Sequence, residues 1–195
     1  MKIVILDYGA GNIKSLMFAI ERLGLRASLS RNVEEILQAD KVIFPGVGQA
    51  ASAMANLRDS GLDRLIPELK QPVLGICLGM QLMCSSSEEG NTKGLGIFDL
   101  QVRKFPNTQK VPQVGWNTIS SLKGGLFANI PEESHIYLVH GYYAPLSKDT
   151  IAVVDYGLPY SAALKRDNFL GVQFHPEKSS GVGSEILNNF LKVDQ

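Results

Sequence analysis

A cysteine at a predicted strand-to-helix junction is the feature that most constrains the fold of this chain. The apolar run at residues 72–76 predicts a buried strand, and it ends in Cys77, after which a helical pattern begins. Gly75 and Gly79 leave room for a sharp bend, and a helix that begins at Leu78 directs its positive end at the thiol. This geometry presents a thiolate nucleophile. If Cys77 were the only motif in the chain, a buried core cysteine in a glycine-rich turn would be the better interpretation.

A histidine and a glutamate follow another apolar run near the opposite end of the chain. Residues 169–173 predict a strand, and His175, Pro176 and Glu177 come shortly after it. Because proline restricts the backbone, we expect the segment after His175 to be extended, so that the side chains of His175 and Glu177 face the same way. Alone, this motif would be a surface turn. Together with Cys77 it predicts a Cys-His-Glu set for acyl transfer, in which the carboxylate orients the imidazole base.

A glycine-rich loop follows a third apolar run. Pro45, Gly46, Val47 and Gly48 lie between a predicted strand at residues 41–44 and a helical pattern at residues 50–57. Two glycines allow peptide N–H groups to turn toward a ligand, as an oxyanion hole requires. By itself the loop would be an ordinary connection between a strand and a helix.

Together the three motifs resemble those of the class I glutamine amidotransferases. The glutaminase domain of that family carries a Pro-Gly-x-Gly loop, a Gly-x-Cys-x-Gly-x-Gln elbow and a terminal His-x-Glu, and all three occur here in that order. The resemblance implies that Cys77 is the nucleophile, that His175 is the base and acid, and that Glu177 orients the histidine. It also implies that the oxyanion is held by backbone amides at Val47 and Leu78.

The same resemblance implies which residues hold the substrate glutamine. These residues are Gly46, Gln81, Gly141 and Tyr142. No cofactor is implied, and the loop at residues 9–12 lacks the third glycine of a dinucleotide fingerprint.

The whole chain resembles one branch of that family, the glutaminase subunit of imidazole glycerol phosphate synthase. The similarity includes Asp-Tyr-Gly-Ala-Gly-Asn at residues 7–12, Val-Gly-Trp-Asn at residues 114–117 and Val-His-Gly-Tyr-Tyr at residues 139–143. It implies a heterodimer with a (β/α)8 cyclase subunit, which uses the ammonia to make imidazole glycerol phosphate in histidine biosynthesis. The residues implied at that interface are Asn12, Trp116, Asn117 and Lys178.

Two positions depart from the usual pattern of that branch. Gln113 stands where a histidine is common, and Gly141 stands where a serine or threonine is common. These departures leave open a paralogous subunit that supplies ammonia to another synthase. A cysteine hydrolase of γ-glutamyl peptides would share the triad, whereas a non-catalytic binding module would have no need of it.

Composition excludes several other classes. The formal net charge of +0 argues against nucleic acid as a partner, because binding to a phosphate backbone needs a basic surface. No segment has the ~18 to 20 consecutive apolar residues of a membrane span, so we expect a cytoplasmic protein. The chain has two cysteines and three histidines without metal-ligand spacing, which predicts no metal site. Cys77 and Cys84 lie about two helical turns apart on this reading, too far for a disulfide.

The apolar pattern predicts a single α/β domain over residues 1–195. Strands alternate with helices in the first half, and the second half is richer in strands and ends in a helix at residues 184–191. We therefore expect a flavodoxin-like open sheet that is mostly parallel, with helices on both faces, and ligands bound beyond the carboxyl ends of the strands. The polar stretch at residues 85–93 is expected to be a solvated surface loop, and the alternative is that it borders the active site, because it follows the nucleophile helix.

Overall fold

The chain folds into three sheets and six α-helices over residues 1–192, the part that this computed structural model describes. The strands are β1 (Ile3–Leu6), β2 (Ala27–Ser30), β3 (Lys41–Phe44), β4 (Val73–Ile76), β5 (Cys84–Ser87), β6 (Thr92–Lys93), β7 (Phe98–Lys104), β8 (Gln113–Ile119), β9 (Ser134–His140), β10 (Tyr142–Tyr143), β11 (Thr150–Asp155), β12 (Pro159–Arg166) and β13 (Phe169–Val172). The helices are α1 (Ile13–Arg22), α2 (Val33–Leu37), α3 (Ala50–Asp59), α4 (Leu62–Leu65), α5 (Leu78–Met83) and α6 (Ser180–Lys192).

The largest sheet has seven strands in the order β11-β12-β13-β4-β3-β1-β2. The five strands from β13 to β2 pair in parallel, and β11 and β12 add an antiparallel edge. This arrangement confirms the predicted open, mostly parallel sheet. The three strands expected before the chemical motifs are β3, β4 and β13, and β4 lies between the other two.

Helices cover both faces of this sheet, as its sequence pattern requires. Along β1, Ile3 and Ile5 enter one buried cluster and Val4 and Leu6 enter the other, because successive side chains point to opposite faces. The first cluster also contains the buried side chains of α1 and α6, and the second contains those of α2, α3 and α5. A strand buried on both faces reads as a continuous apolar run, which is why these strands were predictable.

The expectation of a surface loop at residues 85–93 is wrong. This segment contains β5 and β6, which join β7 and β10 in a four-stranded sheet, and Ser87 and Thr92 are buried. Serine and threonine side chains mask a strand here because their hydroxyl groups can bond within the chain; Thr92 donates to the carbonyl oxygen of Glu89 at 2.6 Å. The segment therefore lies against the body of the protein, next to the carboxyl edge of the main sheet.

Gly79 is required by close packing between α5 and β3. A Cβ atom at this position would lie 1.9 Å from the carbonyl oxygen of Phe44, the last residue of β3. Gly75 is similarly enclosed, since a Cβ there would lie 2.9 Å from the amide nitrogen of Met80. The predicted room for a sharp bend is thus real, and it lets α5 begin immediately above β4.

We predict that Gly79→Ala lowers the free energy of unfolding by about 3 kcal/mol, because the backbone of β3 or α5 must shift to admit the methyl group. Urea denaturation followed by circular dichroism measures this change. Gly181→Ala, also in a helix, is the matched control, since a Cβ there meets nothing within 4 Å. The control is expected to be neutral or slightly stabilising; equal losses in both variants would contradict the packing argument.

Candidate active site

Cys77 occupies a strained turn between β4 and α5. Its backbone has φ 53° and ψ −109°, a conformation that a residue with a side chain rarely adopts. The turn is held by a hydrogen bond from the amide of Cys77 to the carbonyl oxygen of Val172 on β13, at 2.8 Å. The sulfur lies 3.9 Å from the carbonyl oxygen of Val139 and 3.7 Å from the side-chain nitrogen of Gln173. The thiol therefore points away from the sheet core, toward β9 and the end of β13.

His175 and Glu177 form a buried pair beside this thiol. The Nδ1 atom of His175 lies 2.8 Å from Oε1 of Glu177, and their side chains are only 5% and 3% exposed. Of the two carboxylate oxygens of Glu177, Oε2 is buried without a hydrogen-bond partner among the described residues. The negative charge of Glu177 is thus directed at the imidazole, which fixes Nδ1 as the protonated nitrogen and leaves Nε2 for chemistry.

The backbone after His175 is not extended, although the sequence predicts an extended segment there. Residues Pro176–Lys178 form a 3-10 turn rather than an extended segment, and the amide of Lys178 donates to the carbonyl oxygen of His175. Proline suits the first position of such a turn, because its fixed φ is helical and it has no N–H to satisfy. The turn brings the two side chains together more directly than an extended chain would.

The surroundings of His175 favour its charged form. Burial alone lowers the pKa of the imidazole, but hydrogen bonds to Cys77 and Glu177 and the charges on both raise the pKa to about 10. The histidine is therefore an imidazolium at neutral pH, next to a sulfur nucleophile. Such a pair can transfer a proton to a leaving group as soon as the sulfur attacks.

A second histidine near the site, His140, has a lowered pKa, whereas the pKa of His175 is raised. Burial lowers the pKa of His140 to about 4, so this residue stays neutral at pH 7. Its Nδ1 atom lies 2.8 Å from the carbonyl oxygen of Tyr142, to which it donates, and Nε2 lies 3.1 Å from the hydroxyl of Tyr160. His140 therefore holds the backbone of the segment around Tyr142, and of these two histidines only His175 is charged at neutral pH.

A cavity of about 310 Å³ opens over the sulfur of Cys77 and has the size of a small-molecule site. Most of the residues predicted for catalysis and substrate binding line it: Val47, Cys77, Leu78, Gln81, Gly141, Tyr142 and His175. Lys178, predicted for the partner interface, also lies on this lining. Gly46 lies instead at a small cavity of about 10 Å³ behind the histidine, together with Asn12 and Glu177. Leu78 is the first residue of α5, and the first amides of a helix have no partner within it, so its N–H is available to a ligand.

The side chain of Gln81 connects separate segments of the chain that surround the cavity. Its side-chain nitrogen donates to the carbonyl oxygen of Tyr142 and to Oε1 of Gln173, each at 2.9 Å. These bonds join α5 to the segment after β9 and to the end of β13. Gln81 therefore positions three parts of the chain around the space where a substrate would bind.

Glu89 is a site residue that the sequence reading missed. It lines the cavity, and among the described lining residues it is the only one with a carboxylate. Its Oε2 atom accepts a hydrogen bond of 2.9 Å from the amide of Ala50, the first residue of α3. The stretch at residues 85–93 thus borders the cavity, as the alternative interpretation has it, but its polar composition does not single out Glu89.

The residues predicted for a partner interface fall into two groups. Trp116 is 54% exposed, and its ring packs against the ring of Tyr137 in a T-shaped arrangement. The exposed Lys178 has its ammonium group 5.9 Å from the centre of the Tyr137 ring. Asn12, at the start of α1, makes no side-chain cap bond. Asn117 is bound within the chain, because it donates to the carbonyl oxygen of Asp155 and accepts from the amide of Thr118. The structure thus leaves Trp116 and Lys178 more accessible to a partner than Asn117.

The remaining chemical groups of residues 1–192 do not suggest another centre. Cys84 is fully buried, burial raises the pKa of its thiol to about 12, and both cysteines are free. Within this part of the chain no group of three metal-ligating side chains is close enough to hold an ion. No helix there has the length and apolar character needed to cross a membrane.

Comparison with known proteins decides the family. A family model described as glutamine amidotransferase class-I matches residues 4–193, nearly the whole chain. The chain belongs to the class I glutamine amidotransferases. Among solved structures, one of a glutamine amidotransferase superimposes with a TM-score of 0.76 at 18% identity and covers 97% of each chain. At that identity the likeness concerns the fold alone.

Curated relatives place this class I chain near a particular subunit. The imidazole glycerol phosphate synthase subunit HisH of Bacteroides fragilis is 53% identical over 196 residues, which cover 99% of this chain and 100% of the relative. The HisH subunit of Yersinia pseudotuberculosis is 46% identical with the same coverage. The similarity therefore extends over both full lengths and is not confined to the motifs.

We predict that the imidazole of His175 titrates near pH 10. Nuclear magnetic resonance of protein labelled at histidine measures this, and His135→Gln helps to assign the signals of a chain with three histidines. Glu177→Gln removes a neighbouring negative charge and is expected to lower the midpoint. A midpoint near 6.5 in both proteins would contradict the ion-pair description.

The raised pKa of His175 makes the free energy of unfolding depend on pH. Since the folded pKa of His175 is raised above 6.5, its charge stabilises the folded state fully below pH 6.5, and this contribution disappears as the pH rises through about 10. The loss of unfolding free energy in Glu177→Gln should therefore be largest near pH 6 and smallest above pH 10. A loss that is constant over this range would show that the histidine charge is not involved.

Proposed function

We propose that this chain is the glutamine-hydrolysing subunit of an imidazole glycerol phosphate synthase, which acts in histidine biosynthesis. The observation that carries the proposal is the full-length identity of 53% to a HisH subunit, in a chain whose Cys77, His175 and Glu177 meet beside one cavity. This identity favours the synthase subunit over a paralogue that feeds another synthase and over a γ-glutamyl hydrolase. From the same similarity to HisH subunits we also propose that the protein is cytoplasmic.

The proposed reaction begins with attack on the side-chain amide of glutamine. The thiolate of Cys77 adds to the amide carbon, and the oxygen that becomes negative is held by the amides of Val47 and Leu78. The imidazolium of His175 gives its proton to the departing ammonia, which leaves a thioester on Cys77. A water molecule that gives a proton to His175 then hydrolyses the thioester and releases glutamate.

Glu177 supports both halves of this reaction. Because it is buried and hydrogen bonded to Nδ1 of His175, it keeps Nε2 directed at the cavity and stabilises the imidazolium between proton transfers. A neutral partner at this position would hold the ring but would lose the electrostatic contribution. The triad therefore depends on charge as well as on geometry.

We assign recognition of the free amino acid to Glu89 in addition to the residues implied by sequence. Glutamine carries a positive α-amino group, and Glu89 is the one carboxylate on the described cavity lining. Its bond to the amide of Ala50 fixes the carboxylate against the start of α3. Gln81, Gly141 and Tyr142 shape the space for the rest of the substrate, and Gly46 permits the bend of the oxyanion loop.

The partner that receives the ammonia is proposed to be a (β/α)8 cyclase subunit. The relatives are named as subunits of imidazole glycerol phosphate synthase, and a subunit implies a partner chain. We assign the docking face to the exposed residues around the end of the cavity, where Trp116, Val114 and Val139 present apolar surface and Lys178 presents a charge. An aromatic anchor with a charged neighbour is typical of protein interfaces.

We predict that Cys77→Ala, in complex with the cyclase subunit, loses glutamine-dependent synthesis by at least about 10³-fold, because no nucleophile remains. Synthesis from added ammonium salt should be unchanged, since ammonia then bypasses this subunit. Steady-state assays with both nitrogen sources measure the two activities. Cys84→Ala is the control and should retain both. Loss of both activities in Cys77→Ala would contradict the proposed division of labour.

We predict that Glu89→Gln raises the KM for glutamine roughly 10- to 100-fold, which is the effect of losing one charged hydrogen bond. The glutamine side chain can still accept from the amide of Ala50, so the loop should keep its position. Glu88→Gln is the matched control, because Glu88 accepts from the amide of Lys104 and does not line the cavity. A KM unchanged in Glu89→Gln would remove this residue from the substrate site.

A further inference from the structure

Tyr8 is a buried polar residue next to the active site that the proposed mechanism does not use. It follows β1, the strand that pairs with β3, and it is only 4% exposed. Its hydroxyl donates a hydrogen bond of 2.6 Å to the carbonyl oxygen of Pro45, the first residue of the loop that carries Val47. The phenol is therefore attached to the oxyanion loop rather than to the substrate cavity.

The packing around Tyr8 restricts the peptide group that links Pro45 to Gly46. The ring of Tyr8 contacts Phe44 edge-on, with ring centroids 5.4 Å apart, so it is fixed against the last residue of β3. A Cβ at Gly46 would lie 2.9 Å from the hydroxyl oxygen, and a Cβ at Gly11 would lie 3.1 Å from the ring of Pro45. The start of the loop is thus held between the phenol on one side and the loop at residues 9–12 on the other.

The hydroxyl of Tyr8 stays protonated at neutral pH and can therefore donate. Burial raises the pKa of Tyr8, and the charge of the nearby Cys77 raises it further. The hydrogen bond to Pro45 therefore persists when the thiolate forms.

We propose that Tyr8 is a positioning residue for the oxyanion hole, because its hydroxyl fixes the peptide between Pro45 and Gly46 and so aims the N–H of Val47. A peptide unit is planar, so holding the carbonyl of Pro45 also holds the nitrogen of Gly46. Only the two backbone angles of Gly46 then separate this fixed plane from the amide of Val47. Glycine rotates freely about these angles, and an anchored plane before it restricts where the next N–H can point.

This inference rests on the proposed function, since it assumes that the amide of Val47 binds the oxyanion. It predicts a particular kinetic signature. Tyr8 does not line the cavity over Cys77, so its hydroxyl should not affect the binding of glutamine itself. It should affect only states in which the substrate oxygen carries negative charge, which are the transition states and their analogues.

The test is Tyr8→Phe in the complete complex with the cyclase subunit, assayed for glutamine hydrolysis. This variant keeps the ring against Phe44 and removes only the hydrogen bond. We expect kcat to fall about tenfold, the effect of one neutral hydrogen bond, while KM stays within about twofold. The affinity for the aldehyde analogue of glutamine, whose adduct with Cys77 places an oxygen in the same hole, should fall by the same factor as kcat.

Two controls separate positioning from general damage. Tyr156→Phe removes a similar bond, from the hydroxyl of Tyr156 to the carbonyl oxygen of Lys110, and Tyr156 does not line the cavity. It should leave kcat and analogue affinity unchanged. Replacement Tyr8→4-aminophenylalanine keeps a donor at the same end of the ring and should restore most of kcat.

The outcomes distinguish the inference from the proposed function. A normal kcat in Tyr8→Phe, or a rise in KM without a loss of kcat, would overturn the role of Tyr8 alone. Failure of the amino variant to restore kcat would also overturn it, and this holds even if Tyr8→Phe proves too unstable to assay. If the wild-type complex does not hydrolyse glutamine, it is the proposed function that fails.

Discussion

The active site depends on the parallel pairing of β4 with β3 on one side and β13 on the other. Phe44 lies opposite Gly75, and Val172 lies opposite Ile76, so all three strands end at the same edge of the sheet. Neighbouring strands are about 4.8 Å apart, and a residue just beyond one strand is within side-chain reach of the next. Segments about 30 and 100 residues from Cys77 along the chain therefore meet at it without any long connection.

Close packing and charge then refine what the sheet brings together. The glycines at positions 75 and 79 let α5 sit directly on β3 and β4, and Cys77, which lies between them, has a positive φ. Burial of His175 would by itself discharge the imidazole, but Cys77 and Glu177 outweigh burial and keep it protonated. Strain at the nucleophile and charge at the histidine are both maintained by rigid neighbours, as preorganised catalysis requires.

Much of this arrangement could be predicted from sequence, for identifiable reasons. Strands buried on both faces, such as β3, β4 and β13, are short runs dominated by apolar residues, and their parallel order places the following loops at one edge. The helix expected at residues 184–191 is present, but it begins earlier, at Ser180, because its first four residues include two glycines, which disfavour a helix when the sequence is read alone.

The parts that were missed depend on contacts between distant segments. Glu89 becomes a site residue only because β5 and β6 pair with β7 and bring it to the start of α3, and a polar stretch gives no sign of such pairing. The turn at Pro176 was read as extended because proline is compatible with both conformations. The bond from Asn117 to the carbonyl oxygen of Asp155 likewise exists only once β8 and β11 are adjacent.

The central claim, that Cys77 is a nucleophile held beside His175, is tested most directly by covalent labelling with a glutamine analogue that carries an electrophilic carbon at the amide position. Mass spectrometry of the labelled complex should find a single adduct on Cys77 and none on Cys84, and His175→Gln should slow its formation at least about 10²-fold. An adduct on Cys84, or labelling of Cys77 at the same rate without the histidine, would contradict the account.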